Sequence, residues 1–429
     1  MKTVCLAIFA CALALNGFAD PQISSWFVTD SGKVAQIYRT DTEKASGRTE
    51  TTWSNGRNVQ SRPAYCGVQE IVSSANWIYV RSTGLGSQVM GPWLNGRFPN
   101  LPTDQHFIFA IPRHPAAQTG DDFNPLGEIG MFVDGVRMFD AGDAFSYSHE
   151  NGRDADPRAG IGRGDRIWNR DAYVNERVTF DAALGHQQQW GTYHYHSEPI
   201  ALRYLLGDHV DFDDATKTYH ESPAAPTKHS PILGWMQDGY PLYGPYGYSN
   251  PTNPASGVRR MISGYARRDG RNGTDNLTQT GRMTLPAWDA REQHRSAALQ
   301  DIETGPNVSA AYPLGRYMED YAYLGDIGKK PGSDFDLDEL NGRWCVTPEF
   351  PNGTYAYFTT IDANGYPVYP YNMGRRYHGN PVGRLMRGIY ETVTTNFVNR
   401  ASGSSLAAIS QGNATTLIWN SGSGGYEQK

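Results

Sequence analysis

The chain has 429 residues, enough for one large domain or two ordinary ones. Its formal charge of −6 comes without a basic patch, which argues against nucleic-acid binding. Its 47 glycines and 26 prolines are spread throughout and indicate many turns rather than long helices, while its 26 tyrosines suit a β-rich core.

The first segment is predicted to be a secretory signal peptide. Lys2 precedes an apolar run from Val4 to Leu15, and Ala19 stands just before Asp20. The apolar run is too short to cross a bilayer, and no later segment is long enough. We therefore expect a secreted or periplasmic protein with cleavage near Ala19 and no membrane span.

Hairpin turns dominate the remainder of the chain. Asn-Gly and Asp-Gly pairs between apolar or alternating runs are the strongest short-range hairpin signals. They occur at Asn55-Gly56, Asp134-Gly135, Asp238-Gly239 and Asn364-Gly365, and further strands are predicted at Trp77 to Val80 and His106 to Pro112.

These signals predict a mainly β fold, a large β-sandwich or barrel-like domain with a few short helices. The predicted divisions are a signal peptide (1–19), an N-terminal β region (20–126), a β core (127–398) and a flexible tail or truncated β module (399–429). The predicted helices are Glu198 to Leu206, capped by Ser197, then Leu285 to Asp301 and Arg384 to Thr395.

The stretch Gly191 to Glu198, GTYHYHSE, carries the strongest chemical signal. On a strand, His194 and His196 point to one face, and Tyr193 and Tyr195 point to the other. Paired imidazoles on a rigid strand suit a divalent metal, and His186 is near enough to join them through a turn. A pair of surface histidines among strand tyrosines is the alternative.

Three further residues are candidates for supporting roles. Glu198 continues the same alternation, although a carboxylate near a helix N-terminus explains it as well. His229 and Asp238 could complete or support the site, although the Asp-Gly turn alone accounts for Asp238.

Three imidazoles suit copper and zinc. Copper is preferred here because the protein is predicted to be exported. Tyr193 and Tyr195 would assist a redox copper site, by ligation or by protection from oxidation, but they are equally ordinary strand residues.

The chain also repeats itself. GTYHYH (191–196) recurs as GTYAYF (353–358), and DGYPLYGPYG (238–247) recurs as NGYPVYPYNMG (364–374). Duplication of a strand pair and chance similarity between tyrosine-rich hairpins both explain the repetition.

GTYHYH, HSPILGWMQDGYPLYGPYG and DLDELNGRWCVTPEFPNGTYAYF occur in that order, and together they resemble the bacterial YHYH-domain proteins. The resemblance runs from about Gly127 to Tyr371. It implies a fold but no settled biochemical activity. The second motif reads Tyr355-Ala356-Tyr357-Phe358, so a second histidine pair is missing.

Cys66 and Cys345 are the only cysteines after the signal segment, and they are expected either to form one disulfide or to be two buried thiols. The functional hypothesis is an exported YHYH-domain protein with a histidine-rich metal site, acting as a copper-dependent oxidoreductase. The alternatives are a zinc-dependent hydrolase or lyase and a non-catalytic extracellular protein that binds glycan or protein. The expected partner is an unidentified small molecule or glycan.

Overall fold

A computed structural model describes residues 20–118, 120, 126–156, 159–399, 417–420 and 425–428. The predicted signal peptide and most of the predicted tail lie outside these residues. None of the described helices is long and apolar enough to cross a membrane.

The centre of the molecule is a mixed eight-stranded sheet. Its strands, in spatial order, are β11 (Gly185–Gln187), β12 (Tyr193–Tyr195), β7 (Arg137–Phe139), β6 (Glu128–Phe132), β15 (Ile232–Met236), β16 (Pro241–Tyr243), β22 (Thr354–Phe358) and β21 (Gly342–Cys345). Most of these strands are fully buried, as expected for a sheet covered on both faces.

A five-stranded antiparallel sheet packs against it. Its spatial order is β23 (Arg384–Met386), β5 (Phe107–Pro112), β4 (Trp77–Ser82), β3 (Val68–Ser73) and β25 (Thr394–Val398). Alternate residues such as Ile78 and Phe109 share one hydrophobic core with the central sheet, while Tyr79 and Ile108 pack on the other side with Ile389. Both sheets are open, so the mainly β prediction is confirmed and the architecture is closer to a sandwich than to a barrel.

Short elements surround the two sheets. The remaining strands are β1 (Trp53–Ser54), β2 (Val59–Gln60), β8 (Gly142–Ser148), β9 (Arg153–Asp154), β10 (Asn169–Asp171), β13 (Val210–Asp213), β14 (Thr218–Glu221), β17 (Tyr246–Asn250), β18 (Asn253–Arg260), β19 (Tyr265–Arg267), β20 (Tyr321–Tyr323), β24 (Gly388–Ile389), β26 (Leu417–Asn420) and β27 (Gly425–Gln428). The α-helices are α1 (Pro21–Ser24), α2 (Asp41–Ser46), α3 (Ala172–Glu176), α4 (Ile200–Leu205), α5 (Leu277–Thr280) and α6 (Ala287–Glu292), and 3-10 turns occupy Leu94–Gly96, Arg177–Thr179, Asp301–Glu303, Met318–Asp320 and Leu324–Ile327.

The central sheet has pseudo-two-fold symmetry. On one side, hairpin β6–β7 continues into hairpin β11–β12, with β12 parallel to β7. On the other side, hairpin β15–β16 continues into hairpin β21–β22, with β22 parallel to β16. The axis passes between β6 and β15, where Met131 pairs with Trp235.

The equivalence extends to single residues. Gly130 and Gly234 both lie at the axis, and a Cβ on either would fall 2.5 or 2.8 Å from a carbonyl oxygen of the opposite strand. The hydroxyls of Tyr193 and Tyr355 both donate to an aspartate just upstream of their own hairpin, Asp181 and Asp338 respectively. Such matched detail supports duplication rather than chance similarity.

The repeat differs from the one predicted in one respect. GTYHYH and GTYAYF are structural equivalents, because they form β12 and β22. The equivalent of the Asp238-Gly239 hairpin, however, is the Asp134-Gly135 hairpin. The Asn364-Gly365 turn lies outside the sheet, between bridge residues Ile361 and Pro367.

The helix predictions were partly wrong. Helix α4 begins at Ile200 after Pro199, and no side chain caps it, so Ser197 is not its N-cap. Only Ala287–Glu292 of the second predicted helix is α-helical. The third segment forms strands β23 and β25, because Arg384–Met386 pairs with β5 and the threonine-rich Thr394–Val398 pairs with β3.

The predicted disulfide is absent. Cys66 and Cys345 are both free and buried, and burial raises the pKa of each thiol. Cys345 ends β21 at one edge of the central sheet, whereas Cys66 just precedes β3 of the other sheet. The alternative expectation, that the two cysteines are separate buried thiols, is therefore correct.

Candidate metal centre

The hairpin of β11 and β12 brings three histidines together. His186 stands directly opposite His194 in the antiparallel register, and His196 follows β12 by one residue on the same face as His194. The sequence alternation therefore predicted the face correctly, and the hairpin places His186 as expected. The three ligating atoms lie within 4.8 Å of one another.

The Nε2 atoms of the three imidazoles face a common point. His194 Nε2 lies 3.1 Å from His186 Nε2 and 3.2 Å from His196 Nε2. A tetrahedral ion bound at about 2.0–2.1 Å from each nitrogen would hold them about 3.3 Å apart. The observed separations are thus close to those of a metal site.

The other ring nitrogens of His194 and His196 are hydrogen-bond donors. His194 Nδ1 lies 3.0 Å from the carbonyl oxygen of Thr192, and His196 Nδ1 lies 2.6 Å from that of Asp140. A carbonyl oxygen can only accept, so each Nδ1 carries the proton. The Nε2 atom of each neutral ring then carries a lone pair.

Thr179 fixes His186 in the same way. The Thr179 hydroxyl donates its single hydrogen to the carbonyl oxygen of Glu176 at 2.6 Å. It must therefore accept from His186 Nδ1, which lies 2.8 Å away. In their neutral forms all three histidines consequently present unprotonated Nε2 atoms to one another, and such outer hydrogen bonds are typical of metal-binding histidines.

Burial opposes a positive charge on all three rings. His186, His194 and His196 are 6%, 3% and 4% exposed. Burial and the neighbouring imidazoles hold the pKa of His186 and His194 well below the usual value. Burial also opposes charge on His196, but the Glu176 carboxylate and the Asp140 oxygens outweigh it and raise its pKa.

Glu176 is the functional candidate that the sequence analysis missed. Its Oε2 atom lies 3.3 Å from His196 Nε2 and 3.6 Å from His186 Nε2, and its side chain is 27% exposed. It ends helix α3, whose N-cap Asp171 is held in turn by the Tyr371 hydroxyl. The only available signal was a carboxylate ten residues before a histidine in the same segment.

Aromatic rings enclose the histidines. Phe139 stacks on His194 with ring centroids 4.0 Å apart, and Phe180 packs edge-on against His186 at 4.7 Å. Phe98 stacks beyond His186 at 6.4 Å. The imidazoles therefore lie in an apolar setting, in which a cation bound by them is poorly screened by water.

The two motif tyrosines point away from the histidines. Tyr193 donates to Asp181 at 2.9 Å, and Tyr195 accepts from Gln88 at 2.9 Å. Both are fully buried in the core on the opposite face of the sheet. They hold the strand in place from the face opposite the histidines.

The remaining predicted residues belong to other clusters. Buried Glu198 pairs with Arg203, which also contacts Asp208 and Glu221. Asp238 accepts hydrogen bonds from Tyr240 N, Gly379 N and the Tyr357 hydroxyl. His229 packs on Tyr243 and Phe358, in the other half of the sheet.

Comparison with known proteins gives one match. A sequence model of the family described as YHYH protein matches residues 108–370. This segment contains the histidine hairpin and both halves of the symmetric sheet. No curated protein and no solved structure matches the chain significantly.

Proposed function

The chain belongs to the YHYH protein family, and we propose that it is a metal-dependent enzyme whose His186, His194 and His196 hold one divalent transition-metal ion. The observation that carries the proposal is the convergence of three Nε2 lone pairs whose Nδ1 protons are all engaged elsewhere. Lone pairs 3.1–3.2 Å apart repel one another unless a cation lies between them.

We propose zinc as the ion, in place of copper. Three imidazoles with a neighbouring carboxylate suit either metal. The expectation of copper rests on predicted export, and the tyrosines that would assist a redox copper site, Tyr193 and Tyr195, are turned to the opposite face. A redox-neutral ion therefore fits the residues that actually surround the histidines, and elemental analysis distinguishes the two metals.

Glu176 is proposed to act as the general base. A bound zinc ion would polarise a water molecule or a carbonyl oxygen in the position left open by three protein ligands. The Glu176 carboxylate lies 3.3 Å from His196 Nε2, and its partial exposure leaves it in reach of solvent. It can accept a proton there and release it to bulk water.

The proposed reaction class is hydrolysis or a lyase reaction. The centre offers an electrophilic position, one adjacent carboxylate and an aromatic wall that limits access of water. Glu198, a candidate for supporting the site, pairs with Arg203.

Esterase activity of zinc-loaded protein tests this proposal, with p-nitrophenyl acetate as the substrate. Zinc-loaded protein should hydrolyse the ester faster than zinc-free protein does. The Glu176→Gln variant should keep stoichiometric zinc but hydrolyse the ester about 10²–10⁴-fold more slowly than the wild type. Glu150→Gln, at an exposed position, is the matched control, and its esterase rate should equal that of the wild type. Zinc-loaded protein without activity above the zinc-free protein, or an unaffected Glu176→Gln variant, would reject the catalytic role.

A further inference from the structure

The half of the sheet without the histidine triad contains a position equivalent to the metal centre. By the register of the hairpins, Arg343 replaces His186, Ala356 replaces His194 and Phe358 replaces His196. The Arg343 guanidinium lies 5.4 Å from the centre of the Phe358 ring. None of these three residues could take the place of the histidines they replace as metal ligands.

An imidazole nevertheless lies at this position, supplied from the segment before β15. The His229 ring packs against Tyr243, the equivalent of Phe139, at 5.0 Å and against Phe358 at 5.8 Å. Its Nδ1 atom donates to the carbonyl oxygen of Ser230 at 2.8 Å. Its Nε2 atom therefore carries a lone pair, and no described residue forms a hydrogen bond with it.

The unpaired nitrogen is costly unless a ligand satisfies it. His229 is only 9% exposed, and burial lowers its pKa to about 4, so the ring is neutral at pH 7. A buried acceptor without a donor is unfavourable.

His229 borders a cleft of about 890 Å³, a size typical of small-molecule sites. Tyr248 supplies an aromatic wall, and Glu349 supplies a carboxylate whose Oε2 atom accepts from the Tyr243 hydroxyl at 2.8 Å. Lys228 also lines the cleft, as does Asp208, which pairs with Arg203 at 2.7 Å. The cleft thus combines two acceptors, an aromatic face and charged groups of both signs.

We propose that this cleft binds a neutral, hydroxyl-rich small molecule, a mono- or disaccharide. A sugar hydroxyl supplies the donor that His229 Nε2 lacks, others can donate to the Glu349 carboxylate, and the apolar face of a sugar ring suits the Tyr248 side chain. The site is separate from the proposed metal centre. The duplicated sheet would then carry a metal in one half and an organic ligand in the other.

Saturation-transfer NMR with maltose, cellobiose, lactose and N,N′-diacetylchitobiose at millimolar concentration tests the proposal on the full chain. At least one sugar should receive saturation from the wild type. His229→Phe keeps the ring packing but removes the acceptor, and it should weaken that binding by about tenfold or abolish it. Its zinc content should equal that of the wild type, so failure here is distinguishable from failure of the metal proposal.

Glu349→Gln provides an independent variant, because it keeps an oxygen for the Tyr243 hydroxyl while removing the carboxylate. It should weaken binding several-fold, and it decides the question if His229→Phe does not fold. The proposal is overturned if none of the four sugars binds, or if binding is undiminished in both variants.

Discussion

Single residues explain why the histidine cluster was predictable and its carboxylate was not. His194 and His196 share a face through strand alternation alone, and His186 is close enough in sequence for a hairpin to deliver it. Glu176 reaches the cluster from a five-residue helix whose position depends on Asp171 and Tyr371. No local pattern encodes that contact, because it arises from packing between distant segments.

The position of Glu198 is decided by a buried charge. Glu198 follows the histidine motif directly and continues its alternation for two residues. The chain turns into α4 there, and the fully buried Arg203 takes the carboxylate. A buried cation requires carboxylate partners, and this requirement outweighs the pattern of the strand.

Asp134 provides a prediction about pH. It lies fully buried in the β6–β7 turn, where burial raises the pKa of its carboxyl to about 7. The same carboxyl has a pKa near 3.9 in the unfolded chain. The folded state therefore binds the proton more tightly than the unfolded chain does. Asp134 destabilises the folded state least when its carboxyl is protonated, so the free energy of unfolding should fall as pH rises through about 7.

The free energy of unfolding, measured by urea denaturation, should thus be higher at pH 6 than at pH 8. Asp134→Asn retains an acceptor for the Val136 N–H and removes the titration, so it should shrink that difference by about 1 kcal/mol. An identical difference between pH 6 and pH 8 in the variant and the wild type would contradict this account.

Among the elements, hairpins were predicted well and the segment 384–395 was predicted wrongly. Asp-Gly turns form at Gly135 and Gly239 with φ of 84° and 85°, values that glycine adopts without strain. The segment from Arg384 to Thr395 carries no such local marker. Its strands are fixed by their pairing with β5 and β3, hundreds of residues away in sequence.

The paired hairpins offer a matched test. Gly185 and Gly342 begin equivalent strands, and a Cβ on either would lie 2.2 or 2.4 Å from the hydroxyl of a buried tyrosine, Tyr193 or Tyr355. Gly185→Ala and Gly342→Ala should each destabilise the protein by about 1–3 kcal/mol in chemical denaturation, because the tyrosines cannot move without disturbing the core.

Only Gly185→Ala should also weaken zinc binding, because Gly185 adjoins His186. Gly342→Ala is therefore the control for the general effect of destabilisation. Equal zinc affinity in the two variants would show that the geometry of the β11–β12 hairpin does not set the metal centre.

At the scale of the molecule, the sequence indicated a repeat but could not establish its boundaries. GTYHYH and GTYAYF were recognised because their residues are similar. The equivalence of the Asp134-Gly135 and Asp238-Gly239 hairpins was missed, because VRMF and YPLY share little beyond the turn. Sheet order and register reveal it, since both pairs occupy the same positions about the axis between β6 and β15.

The two halves of the duplicated sheet share the residues that maintain the fold and differ in the histidine triad. Buried tyrosines and turn aspartates are retained in both halves, which indicates that they maintain the fold. The histidines occur in one half only, so they are the residues whose loss should affect chemistry without unfolding the protein. The central claim is therefore that these three imidazoles hold one metal ion per chain.

Elemental analysis by mass spectrometry, on protein purified without a histidine tag, tests this claim most directly. The wild type should contain about one zinc ion per chain, and the His194→Ala, His196→Ala double variant should contain none. Circular dichroism should show the same fold for both, since Tyr193 and Tyr195 hold the strand from the other face. Undiminished binding of both zinc and copper by the double variant would contradict the account.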